Sequence, residues 1–150
     1  MSEKEVINQL RQSIGEELVS RVSTTKARRI FIDIDIKGLK EAIQFLKGEG
    51  YTHLSAITGL ETDDGIDLLY HLDKDGMMLT LRVKLPLNEA VAPTISDTIP
   101  GAVLYEREIY DLLGVKFEGH QNLTRLVLPD EWPEHIHPLR KQRRIDETFS

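Results

Sequence analysis

The side chains with the most chemical potential lie in one short segment. Glu106, Glu108 and Asp111 are three carboxylates within six positions, and His120 follows nine positions later. Carboxylates and imidazole are the usual general acids and bases of enzymes, so a small carboxylate–histidine enzyme is one hypothesis. Glycosidases, however, hold two carboxyl groups about 5–9 Å apart across a cleft, and one helix face does not present them in that way. We therefore predict no catalytic residue on this chain.

A metal site could use Glu108, Asp111 and His120, or His120 with His135 and His137. The second set relies on two histidines in a proline-flanked loop, which are more often surface or interface residues. The chain has no cysteine. A zinc site with cysteine ligands and an iron–sulfur cluster held by thiolates of this chain are therefore excluded. We predict neither a metal ion nor a cofactor on this chain.

Other common site patterns are absent from the sequence. No serine lies in a G-x-S-x-G turn, and neither the P-loop nor the G-x-G-x-x-G phosphate pattern occurs. With 25 acidic and 19 basic residues, the net charge of -6 argues against nucleic-acid binding. One basic cluster near the end is better suited to acidic patches of another protein: Arg140, Lys141, Arg143 and Arg144.

The 150 residues, 40% of them hydrophobic, fit a single globular domain with a substantial core. The first ten residues mix charged and apolar side chains, which predicts a cytosolic start without a targeting peptide. No apolar stretch approaches the roughly 18 residues of a membrane span. A role at a membrane would therefore depend on another protein.

The hydrophobic periodicity predicts the elements that must position these residues. It favours an amphipathic helix over residues 3–21 that ends before Ser23, and a second helix from Leu39 to Gly48. Alternating apolar residues predict four strands, beginning near Arg29, Thr52, Ile66 and Met77. A short helix is expected near residues 94–99, and a longer one over residues 101–113 that Gly114 terminates.

These elements predict an α+β fold, a two-layer sandwich in which helices cover one face of a mainly antiparallel sheet. Residues 1–114 would form the compact part, and residues 115–150 a long irregular C-terminal tail that docks on a partner. The helix around Glu106 carries charge on both of its faces. It is either a solvated helix with internal Glu–Arg pairs or a helix whose charges pair with another chain.

The segment from Glu106 to Lys141 resembles the 30 kDa subunit of complex I. The run Glu106-Arg107-Glu108-Ile109-Tyr110-Asp111-Leu112-Leu113-Gly114-Val115 matches the family signature, as do Phe117-Glu118-Gly119-His120 and Asn122-Leu123. The closing segment matches too, with Arg125 to Pro133 and then His137-Pro138-Leu139-Arg140-Lys141. The chain departs from the family pattern at Gln121, Thr124 and His135, where proline, arginine and glycine are common.

The resemblance implies a cofactor-free subunit in the hydrophilic arm of a complex I-type oxidoreductase, on the cytoplasmic side of a prokaryotic membrane. Its partners would be the large subunit related to the nickel–iron hydrogenase catalytic subunit and the small iron–sulfur subunit. Iron–sulfur clusters, and nickel–iron in some relatives, would belong to those partners. Related modules occur in F420H2 dehydrogenases, energy-converting membrane-bound hydrogenases and formate hydrogenlyases, so a hydrogenase-type role is the alternative.

Interface hot spots are rich in Trp, Tyr and Arg. On that basis, and from the matched motifs, we expect the following residues to contact the partners: Glu106, Arg107, Glu108, Tyr110, Asp111, Phe117, His120, Arg125, Pro129, Trp132, His137, Pro138, Leu139, Arg140 and Lys141. The tail from Phe117 to Lys141 is expected to lie extended on the large subunit. A stand-alone protein-binding adaptor is the remaining hypothesis beside the small enzyme.

Overall fold

The computed structural model describes residues 3–26, 28–120 and 139. Its helices are α1 (Glu3–Ile14), α2 (Leu39–Gly48) and α3 (Ala102–Leu113), with short 3-10 turns at Glu16–Leu18 and Ile36–Gly38. The strands are β1 (Val19–Lys26), β2 (Arg29–Ile34), β3 (His53–Glu61), β4 (Ile66–Lys74), β5 (Met77–Leu85), β6 (Val91–Pro93) and β7 (Lys116–Glu118).

Five strands form one sheet in the order β1-β2-β5-β4-β3. Three of its four strand pairs are antiparallel, and only β2 and β5 run parallel. The short strands β6 and β7 form a separate parallel pair. The prediction of a mainly antiparallel sheet in an α+β fold is confirmed.

All three helices lie on the same face of the sheet. Helix α1 buries Val6, Leu10 and Ile14, and α2 buries the stripe that starts at Leu39, because these positions recur at helical spacing. They pack on alternate strand residues such as Ile32 and Leu81, which are fully buried. None of the described helices covers the opposite face, which we call the open face. The two-layer sandwich is therefore confirmed.

Helix α3 packs on β3, and Gly59 permits the close contact. A Cβ atom added at Gly59 would lie 2.5 Å from Cδ1 of Leu113 and 3.0 Å from Cδ1 of Ile109. The neighbouring residue in β3, Thr58, points to the open face and is exposed. Gly59 thus sets the distance between α3 and the sheet.

The prediction that the first helix continues to residue 21 is wrong. Helix α1 ends at Ile14, and Gly15 follows with a φ of 102°, a conformation that favours glycine and interrupts the helix. The chain then forms β1, in which Val22 pairs with Ile32 of β2. The β-branched residues of Val19–Lys26 favour a strand once a neighbouring strand supplies the hydrogen bonds.

The helix predicted near residues 94–99 is also wrong. Residues Val91–Pro93 form β6, and a single turn follows in which the Ile99 N–H bonds the Ile95 carbonyl at 2.8 Å. Strand β7 lies just past the predicted domain boundary at Gly114. The division into residues 1–114 and 115–150 stays a prediction, since residues 121–138 and 140–150 lie outside the described part.

Candidate functional site

Helix α3 positions the chemical groups that the sequence singles out. Its inner side carries Glu106 and Asp111, whose residues are 0% and 2% exposed. Leu104, Arg107 and Glu108 share one face of the helix, because they are three and four positions apart. We call this the outer face, since it points away from the sheet. Leu104 is 56% exposed, Glu108 is exposed and Arg107 is half-buried. The helix therefore has one side buried against the chain and one side exposed, and whether its outer charges pair within the helix or with another chain stays open.

The Glu106 carboxylate lies at the centre of a buried polar network. Its Oε1 accepts a hydrogen bond from Oγ1 of Thr94 at 2.5 Å, and its Oε2 accepts one from the Ile95 N–H at 2.9 Å. The Thr94 hydroxyl also receives the Ser96 N–H at 3.1 Å. The network thus ties α3 to the turn after β6, and both carboxylate oxygens have a donor, as a buried charge requires.

His120 closes the network from the other side. Its Nε2 lies 3.2 Å from the Val103 carbonyl oxygen and 3.8 Å from Oε1 of Glu106, and its side chain is 1% exposed. Because a carbonyl oxygen can only accept, Nε2 carries the hydrogen that bonds Val103. The histidine thereby fixes the chain on α3 at residue 120, the last residue of the matched run Phe117-Glu118-Gly119-His120.

Burial controls the acidity of this network. Removal from water raises the pKa of Glu106, while the hydrogen bonds from Thr94 and Ile95 and the neighbouring His120 oppose that rise. The fully buried Tyr70 has a raised pKa, mainly through burial and secondly through the charge of Glu106. Its hydroxyl has no hydrogen-bond partner among the described residues. Acid and base groups are therefore close together here, but enclosed in the protein interior.

The residues of the predicted interface fall into three sets. Arg107, Glu108 and Tyr110 are accessible or half-buried on α3. Glu106, Asp111, Phe117 and the His120 side chain are buried within the chain. The remaining residues other than Leu139 lie outside the described part: Arg125, Pro129, Trp132, His137, Pro138, Arg140 and Lys141. The whole interface assignment stays a prediction.

Leu139, one residue of the closing segment, contacts the C-terminal end of α3. Its N–H donates to the Leu112 carbonyl at 2.9 Å, and the residue is 54% exposed. The carbonyls of the last helical turn lack partners within the helix, so this bond satisfies one of them. Leu112 and Leu139, which are 27 positions apart, thus meet at the C-terminal end of α3.

Three buried polar residues were not singled out by the sequence, two beside α3 and one on the open face. Thr94 was assigned to a helix, and Tyr70 lay in a strand pattern with no chemical signal of its own. Asp67 lies on the open face, and its position in the alternation of β4 was a detectable signal, since it places a carboxylate on a sheet face.

Two features are absent from residues 3–26, 28–120 and 139. They contain no group of three or more histidine, aspartate or glutamate side chains arranged to hold a metal ion. No helix among them has both the length and the apolar character that a membrane crossing requires.

Comparison with known proteins gives one family and several relatives. A family model described as the 30 kDa subunit of respiratory-chain NADH dehydrogenase matches residues 32–148. The subunit beta of the membrane-bound hydrogenase of Pyrococcus furiosus is 30% identical over 96% of this chain and 88% of its own length. The C/D subunit of the NADH-quinone oxidoreductase of Aeromonas hydrophila is 42% identical over 53% of this chain, which spans 13% of that longer protein.

A solved structure shows the same fold. It is described as the membrane-bound sulfane sulfur reductase, an archaeal respiratory membrane complex. One of its chains superposes with a TM-score of 0.79 over 97% of this chain and 90% of its own, at 20% sequence identity. At this identity the likeness establishes the architecture alone.

Proposed function

The chain belongs to the family of the 30 kDa subunit of respiratory-chain NADH dehydrogenase, and we propose that it is a cofactor-free subunit in the hydrophilic arm of a complex I-type oxidoreductase. The family match over residues 32–148 carries this proposal, because it includes both α3 and the closing segment from Arg125 to Lys141. In this role the chain supports electron transfer coupled to ion translocation, and the redox cofactors belong to its partners. It reaches the cytoplasmic side of the membrane only through the complex.

The proposed partners are the large subunit related to the nickel–iron hydrogenase catalytic subunit and the small iron–sulfur subunit. The large subunit would dock on the outer face of α3. An exposed leucine flanked by a guanidinium and a carboxylate there suits an interface with an apolar centre and charged surroundings. The bond from Leu139 to Leu112 supports one continuous surface, because Leu139 lies within the closing segment and contacts the same helix.

A membrane-bound hydrogenase is the second candidate assembly. The similarity to the Pyrococcus subunit extends over nearly the whole of both chains, whereas the similarity to the Aeromonas protein covers a small part of the latter. In that assembly the chain would keep the same place beside the large subunit, and nickel would be present in the complex. The contact surface of this chain is the same in both proposals.

Purification of a tagged chain from its native membranes tests the proposed function. We expect the chain in a large assembly with iron–sulfur subunits, and analysis of iron and nickel then separates the two candidates. Iron without nickel supports the dehydrogenase type, and iron with nickel supports the hydrogenase type. Recovery as a free monomer without metal would contradict both and favour the stand-alone adaptor, or the small enzyme if that monomer is active.

The docking surface has its own test. Leu104→Asp places a carboxylate in the apolar centre of the proposed contact, and recovery of the chain in the complex should fall about tenfold or more. Asn8→Asp adds the same charge on the exposed side of α1 and serves as the matched control. Equal recovery of both variants would contradict docking through α3. The melting temperature of each isolated variant should match that of the unmodified chain, since both sites are exposed.

A further inference from the structure

The open face of the sheet contains a polar cleft of about 220 Å³. Four strands contribute to it, with Ser20 from β1, Asp33 from β2, Asp67 from β4, and Arg82 and Lys84 from β5. The cleft lies on the opposite face from α3 and its buried network. It is therefore separate from the proposed contact with the large subunit.

Most charges of the cleft already have partners. Arg82 donates from Nε to Oδ1 of Asp33 at 3.0 Å and from Nη2 to Oδ2 at 2.5 Å, which is the two-bond geometry that guanidinium groups form with carboxylates. Lys84 donates to Oδ1 of Asp64 at 2.9 Å. Arg82 is thus engaged by Asp33, and Lys84 by Asp64, an exposed residue that does not line the cleft.

Asp67 is left without comparable support. The residue is 7% exposed, and its Oδ1 is buried without a hydrogen bond from any described residue. The nearest ammonium, that of Lys84, lies 3.8 Å away, beyond hydrogen-bond distance, although the two residues face each other in the β4–β5 ladder. A buried carboxylate oxygen without a donor is unfavourable for the isolated chain.

The charges around Asp67 indicate which kind of group would bond its free oxygen. Asp33, Asp64 and Asp67 carry three negative charges against the two positive charges of Arg82 and Lys84, so one negative charge is not balanced. Magnesium and calcium require about six oxygen ligands, and both oxygens of Asp33 and one of Asp64 already accept hydrogen bonds from cations. A single N–H donor with a positive charge would satisfy both the charge and the free oxygen.

A second cleft provides a contrast. It has a volume of about 250 Å³ and contains Arg28 and Lys74. Lys74 donates to the Glu49 carbonyl at 2.6 Å, and Arg28 bonds the carbonyls of Asp75 and Gly76. Its cations are thus engaged by backbone carbonyls of the chain itself. The open-face cleft differs because Oδ1 of Asp67, a buried acceptor in it, has no donor in the part of the chain that the structure describes.

We propose that a neighbouring subunit of the complex inserts one basic side chain into the open-face cleft and bonds Asp67. This proposal rests on the proposed function, because it requires an assembly with a second partner surface. Lys84 is the residue that would move aside, since its ammonium lies 3.8 Å from Oδ1 of Asp67. Its side chain is 48% exposed and is held by Asp64, whose side chain is 75% exposed, so both can turn toward solvent.

Two conservative variants test the proposal in the assembled complex. Asp67→Asn removes the buried charge and keeps the side-chain shape, and retention of the chain in the complex after a salt wash should fall about tenfold or more. Asp73→Asn removes a charge from the same strand and the same face, at a residue that pairs with His53 and does not line the cleft, and its retention should match that of the unmodified chain. Equal retention of Asp67→Asn and the unmodified chain overturns the proposal.

Stability of the isolated chain separates a binding role from a structural role. If Asp67 serves to bind a partner, Asp67→Asn should leave the melting temperature of the isolated chain unchanged or raise it, because a buried charge without a hydrogen-bond donor is removed. A lower melting temperature would assign Asp67 to the fold and overturn the proposal. Ser20→Trp blocks the cleft from the exposed edge strand without altering Asp67, and it should reduce retention in the same way.

Other occupants would give different results. An Asp67-dependent rise in melting temperature on addition of spermidine to the isolated chain would indicate a small cation and overturn the proposal. Asp67-dependent dimerisation of the isolated chain would indicate a second copy and overturn it as well. If the unmodified chain is not found in any complex, the proposed function itself fails, and this outcome is distinct from equal retention of the variants.

Discussion

On the helix-covered face of the sheet the buried Glu106 receives a hydrogen bond at each carboxylate oxygen, whereas on the open face Oδ1 of the buried Asp67 receives none from the described residues. Both carboxylates are almost completely removed from water. The first is fully supported by the chain's own groups, from Thr94 and Ile95. The second is not. The difference indicates that Glu106 serves the stability of the fold, whereas Asp67 serves a contact that the isolated chain does not contain.

The largest expected effect comes from removal of the supported carboxylate. Glu106→Ala leaves the Thr94 hydroxyl and the Ile95 N–H buried without their acceptor and creates a cavity beneath α3. We expect the free energy of unfolding to fall by about 3 kcal/mol or more, measured by urea denaturation. A loss below about 1 kcal/mol would remove the contrast with Asp67, since Glu106 would then contribute no more than a surface group.

Substitutions at Gly59 and Thr58, adjacent residues of β3, compare how the two faces of the sheet contribute to stability. Gly59→Ala places a methyl group against Leu113 and Ile109, and we expect a loss of about 1–3 kcal/mol in the free energy of unfolding because the contact is already close. Thr58→Ala alters only the open face and should change that energy by about 0.5 kcal/mol or less. Equal changes in the free energy of unfolding for the two variants would show that α3 can move to accommodate the extra methyl group.

Lowering the pH should change the free energy of unfolding in opposite directions through groups on the two faces. Glu106, on the helix-covered face, should increase it. Burial raises its pKa in the folded chain above the ordinary value of 4.5, so the folded state takes up a proton before the unfolded state does. As the pH falls from the raised pKa toward 4.5, the free energy of unfolding should therefore increase relative to that of Glu106→Gln. Parallel pH curves for the two proteins would contradict the assigned pKa direction.

His71 gives the opposite sign and the smallest expected effect. It lies on the open face between Oγ1 of Thr80 at 2.9 Å and Oγ1 of Thr58 at 3.0 Å, and partial burial lowers its pKa below 6.5. As the pH falls below 6.5, the unfolded chain binds a proton that the folded chain does not, and stability should decrease relative to His71→Gln. Chemical denaturation at several pH values between about 7 and 5 measures the difference.

The predicted fold agreed with the structure where the pattern was long and regular. The alternation of Ile30, Ile32 and Ile34 identified β2, and the helical spacing after Leu39 identified α2. Strand β1 was missed because its valines also fit the apolar stripe of the preceding helix, and only the positive φ of Gly15 separates the two. Its strand pairing comes from β2, a partner that local periodicity does not reveal.

The site was also predicted only in part, because contacts between distant segments of the chain cannot be read from local patterns. The signature motif identified Glu106 and His120, but no spacing rule indicated that they would meet inside the protein at 3.8 Å. Thr94 was missed because its hydrogen bond to Glu106 depends on the turn after β6. Asp67 was missed because a carboxylate in an alternating strand is usually solvated, and its burial arises from four strands that come together at the cleft.

The parallel pairing of β2 with β5 has a consequence for the order of folding. Strands β3, β4 and β5 are neighbours in sequence and can pair through short turns, and so can β1 and β2. The ladder from Arg29–Met78 to Asp33–Arg82 joins these two units across 49 positions, so its closure carries the largest loop entropy in the sheet. We expect two locally formed halves to dock late, with the β2–β5 ladder as the slowest step to form.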